Sequence, residues 1–165
     1  MPELLQRLDH FVDQLQRLAA ETPGIVWDQR PAPETWSLVE IVCHLRDVEL
    51  EVHQPRLHTM LEEESPFISG ASPDAWAETR GYRSESGPAA LADFVHARRA
   101  TVRFLAALTP DAWERRGRHA FLGTTTLQEL VFLIVSHDEA HWPQFLSLLH
   151  VLGEQDTPTG ADVRE

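Results

Sequence analysis

Residues 126–149 read TLQELVFLIVSHDEAHWPQFLSLL, a run that joins a helix start to a long apolar stripe. Thr126 and Glu129 have the spacing of a capping box, in which each side chain accepts a hydrogen bond from the other residue's backbone N–H. Apolar side chains then recur every three or four residues, which is the period of a helix with one buried face. His137 and His141 occupy positions on this stripe where apolar groups are expected. The run therefore predicts a long buried helix that carries two inward-facing imidazoles.

The same period predicts three more helices upstream. Ser37 and Glu40 repeat the capping-box pattern at the start of the second. Pro55 in the second helix and Pro143 in the fourth predict bends, because proline cannot donate a hydrogen bond one turn back. Gly153 is expected to end the fourth helix. The four helices are predicted over residues 3–20, 37–61, 88–108 and 126–152. This order predicts an all-α four-helix bundle.

The remaining segments are predicted to connect the helices. Residues 62–87 contain several prolines and glycines and form a long connection between the second and third helices. Residues 114–125 are basic and polar and are predicted to form a loop. No segment shows a convincing strand pattern, so no β-strand is expected. We expect one domain over residues 1–153 and a polar, flexible tail over residues 154–165.

The composition restricts the classes of partner and chemistry. The 165 residues include 14 basic and 26 acidic side chains, which gives a formal net charge of −12. Such a chain has no general attraction for nucleic acid or for an anionic membrane. All the basic residues are arginines, so a P-loop lysine and Schiff-base chemistry are excluded. With one cysteine, no signal-peptide pattern and no long apolar segment, the sequence predicts a cytoplasmic protein.

Three histidines occupy apolar stripes of two different predicted helices. His137 and His141 are four residues apart, so both rings project from one face, and His44 interrupts the stripe of the second helix. A single such histidine is usually a hydrogen-bonded core residue, but a divalent cation would satisfy all three at once. Three imidazoles would also leave a coordination position open, which is typical of catalytic sites. Zinc, nickel, copper and ferrous iron all suit imidazole ligands.

The sequence His-Asp-Glu-Ala-His over residues 137–141 invites comparison with the metalloprotease pattern H-E-x-x-H. Asp138 stands where that pattern requires glutamate, and Glu139 is out of register. No further histidine motif follows, so a protease of this type is not expected. Asp138 itself is predicted to point away from the ligand face, toward the surface.

Several other side chains are candidates for roles around the histidines. Asp47 and Glu51 lie one and two turns beyond His44, where either could orient a ligand ring or accept a proton. The candidates for substrate binding are Gln144, Trp142 and His119, and Gln144 could instead contact a ligand ring. A basic cluster could attract an anionic substrate or simply be solvated; it comprises Arg115, Arg116 and Arg118. Cys43 faces away from His44 and is predicted to be a small core residue.

Three motifs together carry a family resemblance. Residues 36–49 follow W-S-x-x-E-x-x-x-H-L-x-D-x-E, residues 108–113 read L-T-P-D-A-W, and residues 137–144 follow H-x-x-x-H-x-x-Q. In this order and spacing they resemble the DinB/YfiT-like superfamily of metal-dependent enzymes, over about residues 4–152. Pro143 departs from the family's pattern.

The resemblance implies further properties of fold, ligands and partners. It implies an up-down-down-up bundle with residues 62–87 as the crossover, and a divalent metal ion (zinc, nickel or iron) bound by His44, His137 and His141. Relatives in the family include transferases and isomerases that use low-molecular-weight thiols such as bacillithiol or mycothiol, and many are dimers. We therefore expect a homodimer that acts on a small-molecule substrate.

Two classes of function remain open from the sequence. One is an enzyme, a thiol-dependent transferase or a hydrolase, in which the metal activates a thiol or water. The other is a non-catalytic metal-binding or stress-response bundle protein. The open coordination position favours the enzyme.

Overall fold

Four long helical segments form the framework of the protein. The structure is a computed structural model that describes residues 1–22 and 26–155. In chain order its helices are α1 (Pro2–Glu21), α2 (Leu38–Val48), α3 (Gln54–Glu62), α4 (Trp76–Thr79), α5 (Gly87–Ala106), α6 (Pro110–Trp113) and α7 (Leu127–Gln155). Helices α1 and α2 each pack against both α5 and α7, so that the four enclose a common core. The predicted four-helix bundle is confirmed.

The second bundle helix is divided at the predicted proline. A π-helical turn at Glu49–His53 joins α2 to α3, and Pro55 lies in the first turn of α3. Proline is tolerated in a first turn because an N–H there would have no intrahelical partner. We attribute the wide turn to Pro55, whose ring clashes with the carbonyl one turn back in a regular helix.

Both capping boxes form as the sequence predicts. At the start of α7, the Thr126 N–H donates to Glu129 Oε2 at 2.7 Å and the Glu129 N–H donates to Thr126 Oγ1 at 3.2 Å. At the start of α2, the Ser37 N–H donates to Glu40 Oε2 at 2.8 Å. These bonds satisfy backbone donors that have no intrahelical partner, and so they fix where each helix begins.

The fourth helix is longer than predicted. It continues through Pro143 and past Gly153 to Gln155, so the glycine does not end it. Residues 156–165, most of the predicted tail, lie outside the described residues. Among the described helices, none reaches the length and hydropathy that a membrane span requires.

A small sheet corrects the expectation that the chain has no strands. Strand β1 (Phe67–Ile68) pairs in parallel with β2 (Arg116–His119), and β2 pairs antiparallel with β3 (Gly123–Thr126). Residues 114–125, predicted as a loop, therefore contribute most of a hairpin. The strands have at most four residues and little apolar alternation, and β1 and β2 are distant in the chain, so no local pattern reveals them.

The core consists of two apolar clusters with a polar layer between them. One cluster includes Phe11, Phe94 and Phe145, and the other includes Leu57 and Trp113. Along the second, third and fourth bundle helices, buried polar residues fall between the segments that supply the two clusters. We call these residues the central polar layer; they are Glu49, His53, Arg98, Thr101 and Asp138. This layer lies next to the histidines that the sequence singled out.

Candidate metal centre

The fold brings the three predicted histidines together. His44 projects from α2 and meets His137 and His141, which lie one turn apart on α7. Each of the three offers one ring nitrogen, and these atoms all lie within 4.8 Å of one another. His44 Nε2 and His137 Nε2 lie 3.2 Å apart. A single ion could therefore contact all three rings.

Burial keeps these imidazoles neutral. Desolvation lowers the pKa of His44 from 6.5 to about 4 and that of His137 to about 3, and it also lowers the pKa of His141. Each of the first two rings is further disfavoured as a cation by the neighbouring histidines. Neutral rings have the lone pairs that a metal ion needs, so the environment suits coordination at pH 7.

The distance between His44 Nε2 and His137 Nε2 fits a metal centre. In a tetrahedral zinc site two ligand nitrogens lie about 3.3 Å apart, which follows from Zn–N bonds of about 2.0–2.1 Å. Two neutral rings at 3.2 Å either share one N–H···N hydrogen bond or direct both lone pairs at one cation. The buried Nδ1 atoms of His44 and His137 have no hydrogen-bond partner within the described chain. The residues present therefore fit a divalent ion that imidazoles prefer.

Gln144 fixes the orientation of the third imidazole. The His141 Nδ1–H donates to Gln144 Oε1 at 3.0 Å, which leaves the lone pair on His141 Nε2. A histidine that binds a metal through one ring nitrogen usually donates a hydrogen bond from the other one. Gln144, expected from the sequence to contact either substrate or a ligand ring, makes the second contact.

A cavity of about 650 Å³ opens beside His141. This volume lies within the range of about 300–1,000 Å³ that small-molecule sites occupy. Its lining includes Glu34, Trp36, Ile41, Asp74, His141 and Gln144. Trp36 packs beside two of the histidines. Its ring is stacked with that of His141 at an interplanar angle of 9°, and its centroid lies 4.9 Å from that of the His44 ring. The histidine cluster is thus accessible to a small molecule.

Asp74 lines this cavity and interacts electrostatically with the histidines, a role that no sequence pattern predicted. It lies in the crossover, in a short 3₁₀ turn at Pro73–Ala75, and its negative charge favours the protonated forms of both His44 and His141. The motif Pro-Asp-Ala-Trp that contains Asp74 recurs at residues 110–113. No local signal separates the two copies, because only the path of the crossover brings one of them to the site.

The two carboxylates proposed from the sequence are engaged elsewhere. Asp47 is buried and accepts hydrogen bonds from Arg46, Arg80 and Tyr82, each at 2.7 Å. Glu51 is exposed and forms a bidentate ion pair with Arg80, at 2.5 and 2.9 Å. These hydrogen bonds outweigh burial and lower the pKa of Asp47, and they lower that of Glu51 as well. The structure thus gives both carboxylates partners that hold the crossover against α2 and the π-helical turn.

Trp142 and His119 do not line the cavity beside His141. Trp142 faces α1, where its ring lies 6.1 Å from that of Phe11 in an edge-to-face contact. His119 is buried at the end of β2 and accepts a hydrogen bond from the Phe121 N–H at 3.2 Å. A role in substrate binding for either residue therefore gains no support from its position.

Two arginines of the basic cluster make structural contacts. Arg115 donates to the carbonyl oxygens of Met60 and Glu63 at the end of α3. The Arg118 guanidinium lies 4.9 Å from the Phe67 ring centroid, across the β1–β2 pair. These two arginines tie the hairpin to its neighbours.

Asp138 corrects the expectation of a surface carboxylate. It is 2% exposed and forms a bidentate ion pair with Arg98, whose Nε also donates to Glu49 at 3.0 Å. Thr101 donates to the other oxygen of Glu49. Burial raises the pKa of Asp138 to about 6, although Arg98 opposes this shift. Helical periodicity missed this network because its members come from three different helices.

Two further residues near the histidines have distinct environments. His53 is buried in the central polar layer and packs edge-on against His137, with ring centroids 5.4 Å apart. Its Nε2 has no hydrogen-bond partner within the described residues. Cys43 is fully buried in an apolar cluster, as predicted, and desolvation raises the pKa of its thiol to about 12.

A helical bundle with three converging imidazoles beside a cavity defines a class of candidate metalloproteins. Comparison with known families is consistent with this class: the DinB superfamily model matches residues 6–145, and the chain belongs to that superfamily. Among solved structures the fold resembles YfiT from Bacillus subtilis, with a TM-score of 0.76 and 20% sequence identity, over 92% of this chain and 87% of that one. YfiT is described as a probable metal-dependent hydrolase with an unusual four-helix bundle topology. Among curated proteins, none matches the sequence.

Proposed function

We propose that this protein is a metal-dependent enzyme that acts on a small molecule, as a hydrolase or as a thiol-dependent transferase. His44, His137 and His141 would hold one divalent cation, either zinc, nickel or iron. The observation that carries the proposal is the 3.2 Å approach of His44 Nε2 to His137 Nε2, with His141 completing a cluster that opens on the 650 Å³ cavity. The printed description of YfiT as a probable metal-dependent hydrolase supports the same class.

The number of ligands favours catalysis over a structural role. Within the described residues the cluster contains three candidate ligands, whereas structural zinc sites are usually closed by four. When bound, the metal would lower the pKa of a coordinated water or thiol, so that either is a nucleophile near pH 7.

The surrounding residues would orient the imidazoles and shape the site. Gln144 holds the His141 tautomer, and the Trp36 ring packs against two of the three imidazoles. Ile41 and Leu148 supply apolar surface to the cavity, while Thr35 and Ser147 supply hydroxyl groups. A substrate with both apolar and polar parts would be held next to His141 and partly shielded from water.

The test has two stages, binding and turnover. First, metal per chain is measured by mass spectrometry after purification without chelator and after separate reconstitution with zinc, nickel and ferrous iron. We expect about one ion per chain in the wild type and loss of that ion in His141→Ala. Reconstituted protein is then screened with ester and amide substrates and with pairs of a thiol and an electrophile.

The outcomes separate the alternatives. Turnover that disappears on chelation and in His141→Ala supports the enzyme. Stoichiometric metal without turnover across the panel favours the non-catalytic metal-binding alternative. Failure of the folded wild type to bind any of the three metals rejects the proposal. The low-molecular-weight thiol and the homodimer stay predictions from the family resemblance.

A further inference from the structure

The charged side chains in the described lining of the cavity are acidic. Two of its lining residues, Glu34 and Asp74, are exposed carboxylates, and no arginine of the described chain lines it. Within the described chain, neither carboxylate forms an ion pair with an arginine; Arg30, close in sequence to Glu34, is instead bonded to Glu40 and Glu78. The described part of the lining therefore carries two carboxylates and no arginine to pair with them.

The position of this charge relates it to the candidate metal centre. Asp74 and His141 line the same cavity, so a ligand in it can reach both the carboxylate and a histidine of the candidate metal centre. Trp36 lines the same cavity and stacks on His141, and the face of an indole ring attracts a cation. A cavity with walls of one charge sign also concentrates ligands of the opposite sign, and the net charge of −12 adds to this effect.

We propose that the substrate carries a positively charged nitrogen group, such as an amine or guanidinium, which Asp74 and Glu34 bind inside the cavity while its reacting group faces the three histidines. The proposal rests on the function proposed above, since it concerns the substrate of the same site. It disfavours substrates or thiols whose charge is carboxylate or phosphate, because the two carboxylates of the lining would repel them.

Three rigid thiols of matched size provide the test. They are 4-(aminomethyl)benzenethiol, 4-methylbenzenethiol and (4-mercaptophenyl)acetate, which carry a positive, a neutral and a negative group opposite the sulfur. The aromatic ring prevents the charged group from reaching the metal bound by the sulfur. Binding to the cobalt(II)-substituted protein is followed by the sulfur-to-cobalt absorption band, so the readout does not depend on turnover.

The expected order of affinity is positive, then neutral, then negative. We expect the aminomethyl thiol to bind at least about tenfold more tightly than the acetate thiol at low ionic strength, with the ratio decreasing in salt. Asp74→Asn and Glu34→Gln should each reduce the ratio, and the double variant should reduce it to near one. Glu64→Gln removes an exposed carboxylate that does not line the cavity and should leave the ratio unchanged.

The possible outcomes separately test the charge preference, the roles of Asp74 and Glu34, and the proposed function. Equal affinities for the three thiols in a protein that holds cobalt, or no thiol binding at all, would overturn the charge preference and leave the metal site intact. A preference that Glu64→Gln reduces as much as Asp74→Asn would assign it to net charge and overturn the roles of Asp74 and Glu34. Failure to bind cobalt or any other tested metal would reject the proposed function itself.

Discussion

His44 Nε2 and His137 Nε2 lie 3.2 Å apart, although 93 positions separate the two residues in the chain. The contact joins α2 to α7 across the bundle, and both Nδ1 atoms are buried without a hydrogen-bond partner in the described structure. Two neutral imidazoles whose Nε2 atoms face each other in a desolvated site are costly unless a shared proton or a cation lies between them. Their arrangement is thus explained more readily by ligand binding than by stability of the fold.

Removal of any ligand should remove the metal. Loss of a residue that only hydrogen-bonds to a metal ligand lowers metal affinity roughly 10–100-fold. We expect a larger loss of metal affinity in each of the variants His44→Ala, His137→Ala and His141→Ala. His96→Ala, at an exposed position on α5, serves as the control and should retain about one ion per chain. Metal is counted by mass spectrometry, and circular dichroism verifies that each variant stays helical. Full occupancy in His44→Ala would show that α2 supplies no ligand.

The hydrogen bond between His141 and Gln144 should tune metal affinity. Gln144→Ala leaves the His141 Nδ1–H without this acceptor, and we expect zinc affinity to fall about 10–100-fold. Gln144→Glu keeps an acceptor and should retain most of the affinity. Ser147→Ala also changes the cavity lining but does not remove this bond, so it is the matched control. Competition with a chromophoric chelator measures each affinity, and equal values for Gln144→Ala and Ser147→Ala would contradict the role.

The buried ion network should dominate the stability of the bundle centre. Arg98→Met removes the cation that Glu49 and Asp138 share, and loss of one partner of a buried pair costs about 3–5 kcal/mol in the free energy of unfolding. Arg99→Met removes the neighbouring arginine, which forms part-exposed pairs with Asp9 and Asp13. That change should cost about 1 kcal/mol or less. Urea unfolding compares the two, and similar losses would refute the distinction.

The metal-free protein should lose stability in mild acid through its buried histidines. Because the pKa of His44 is about 4 in the folded protein and has its ordinary value of 6.5 in the unfolded chain, the unfolded chain takes up the proton first as the pH falls. This contribution to stability is complete above pH 6.5 and decreases toward pH 4. The raised pKa of Asp138 acts in the opposite direction, so the His44→Gln variant is needed to isolate the effect.

The measured quantity is the difference in unfolding free energy between wild type and His44→Gln, both without metal. We expect this difference to shift against the wild type between pH 7 and pH 5. A difference that stays constant over that range would mean that His44 is not desolvated. Metal binding by the folded protein should likewise persist below pH 6.5, where free imidazole would begin to protonate.

Cys43 should be chemically inert in the native state. Its thiol is buried, and desolvation raises its pKa to about 12, so almost no thiolate exists at pH 7.5. Iodoacetamide should leave the native protein unlabelled and should label it fully in urea. Rapid labelling of the native protein would instead indicate that α2 opens readily.

The amino-acid sequence by itself determined the features that depend on local periodicity. The capping residues of α2 and α7, the four long helices and the inward positions of His44, His137 and His141 all follow from spacings of three and four. A helix has a fixed repeat, so a residue's face can be assigned without knowing what lies opposite. The motifs of residues 36–49 and 137–144 also indicated the superfamily, and the match of its model to residues 6–145 confirms this prediction.

Only the tertiary structure decided which partners the remaining polar residues acquire. Asp138 is buried because Arg98 reaches it from α5, and Asp47 is engaged because Arg80 reaches it from the crossover. Asp74 lines the same cavity as His141 because of the path that the crossover takes. The small sheet likewise depends on pairing Ile68 with His119. Such contacts join residues far apart in the chain, and their energy comes from charges and backbone groups that match only once the bundle has formed. No spacing within a single helix encodes them.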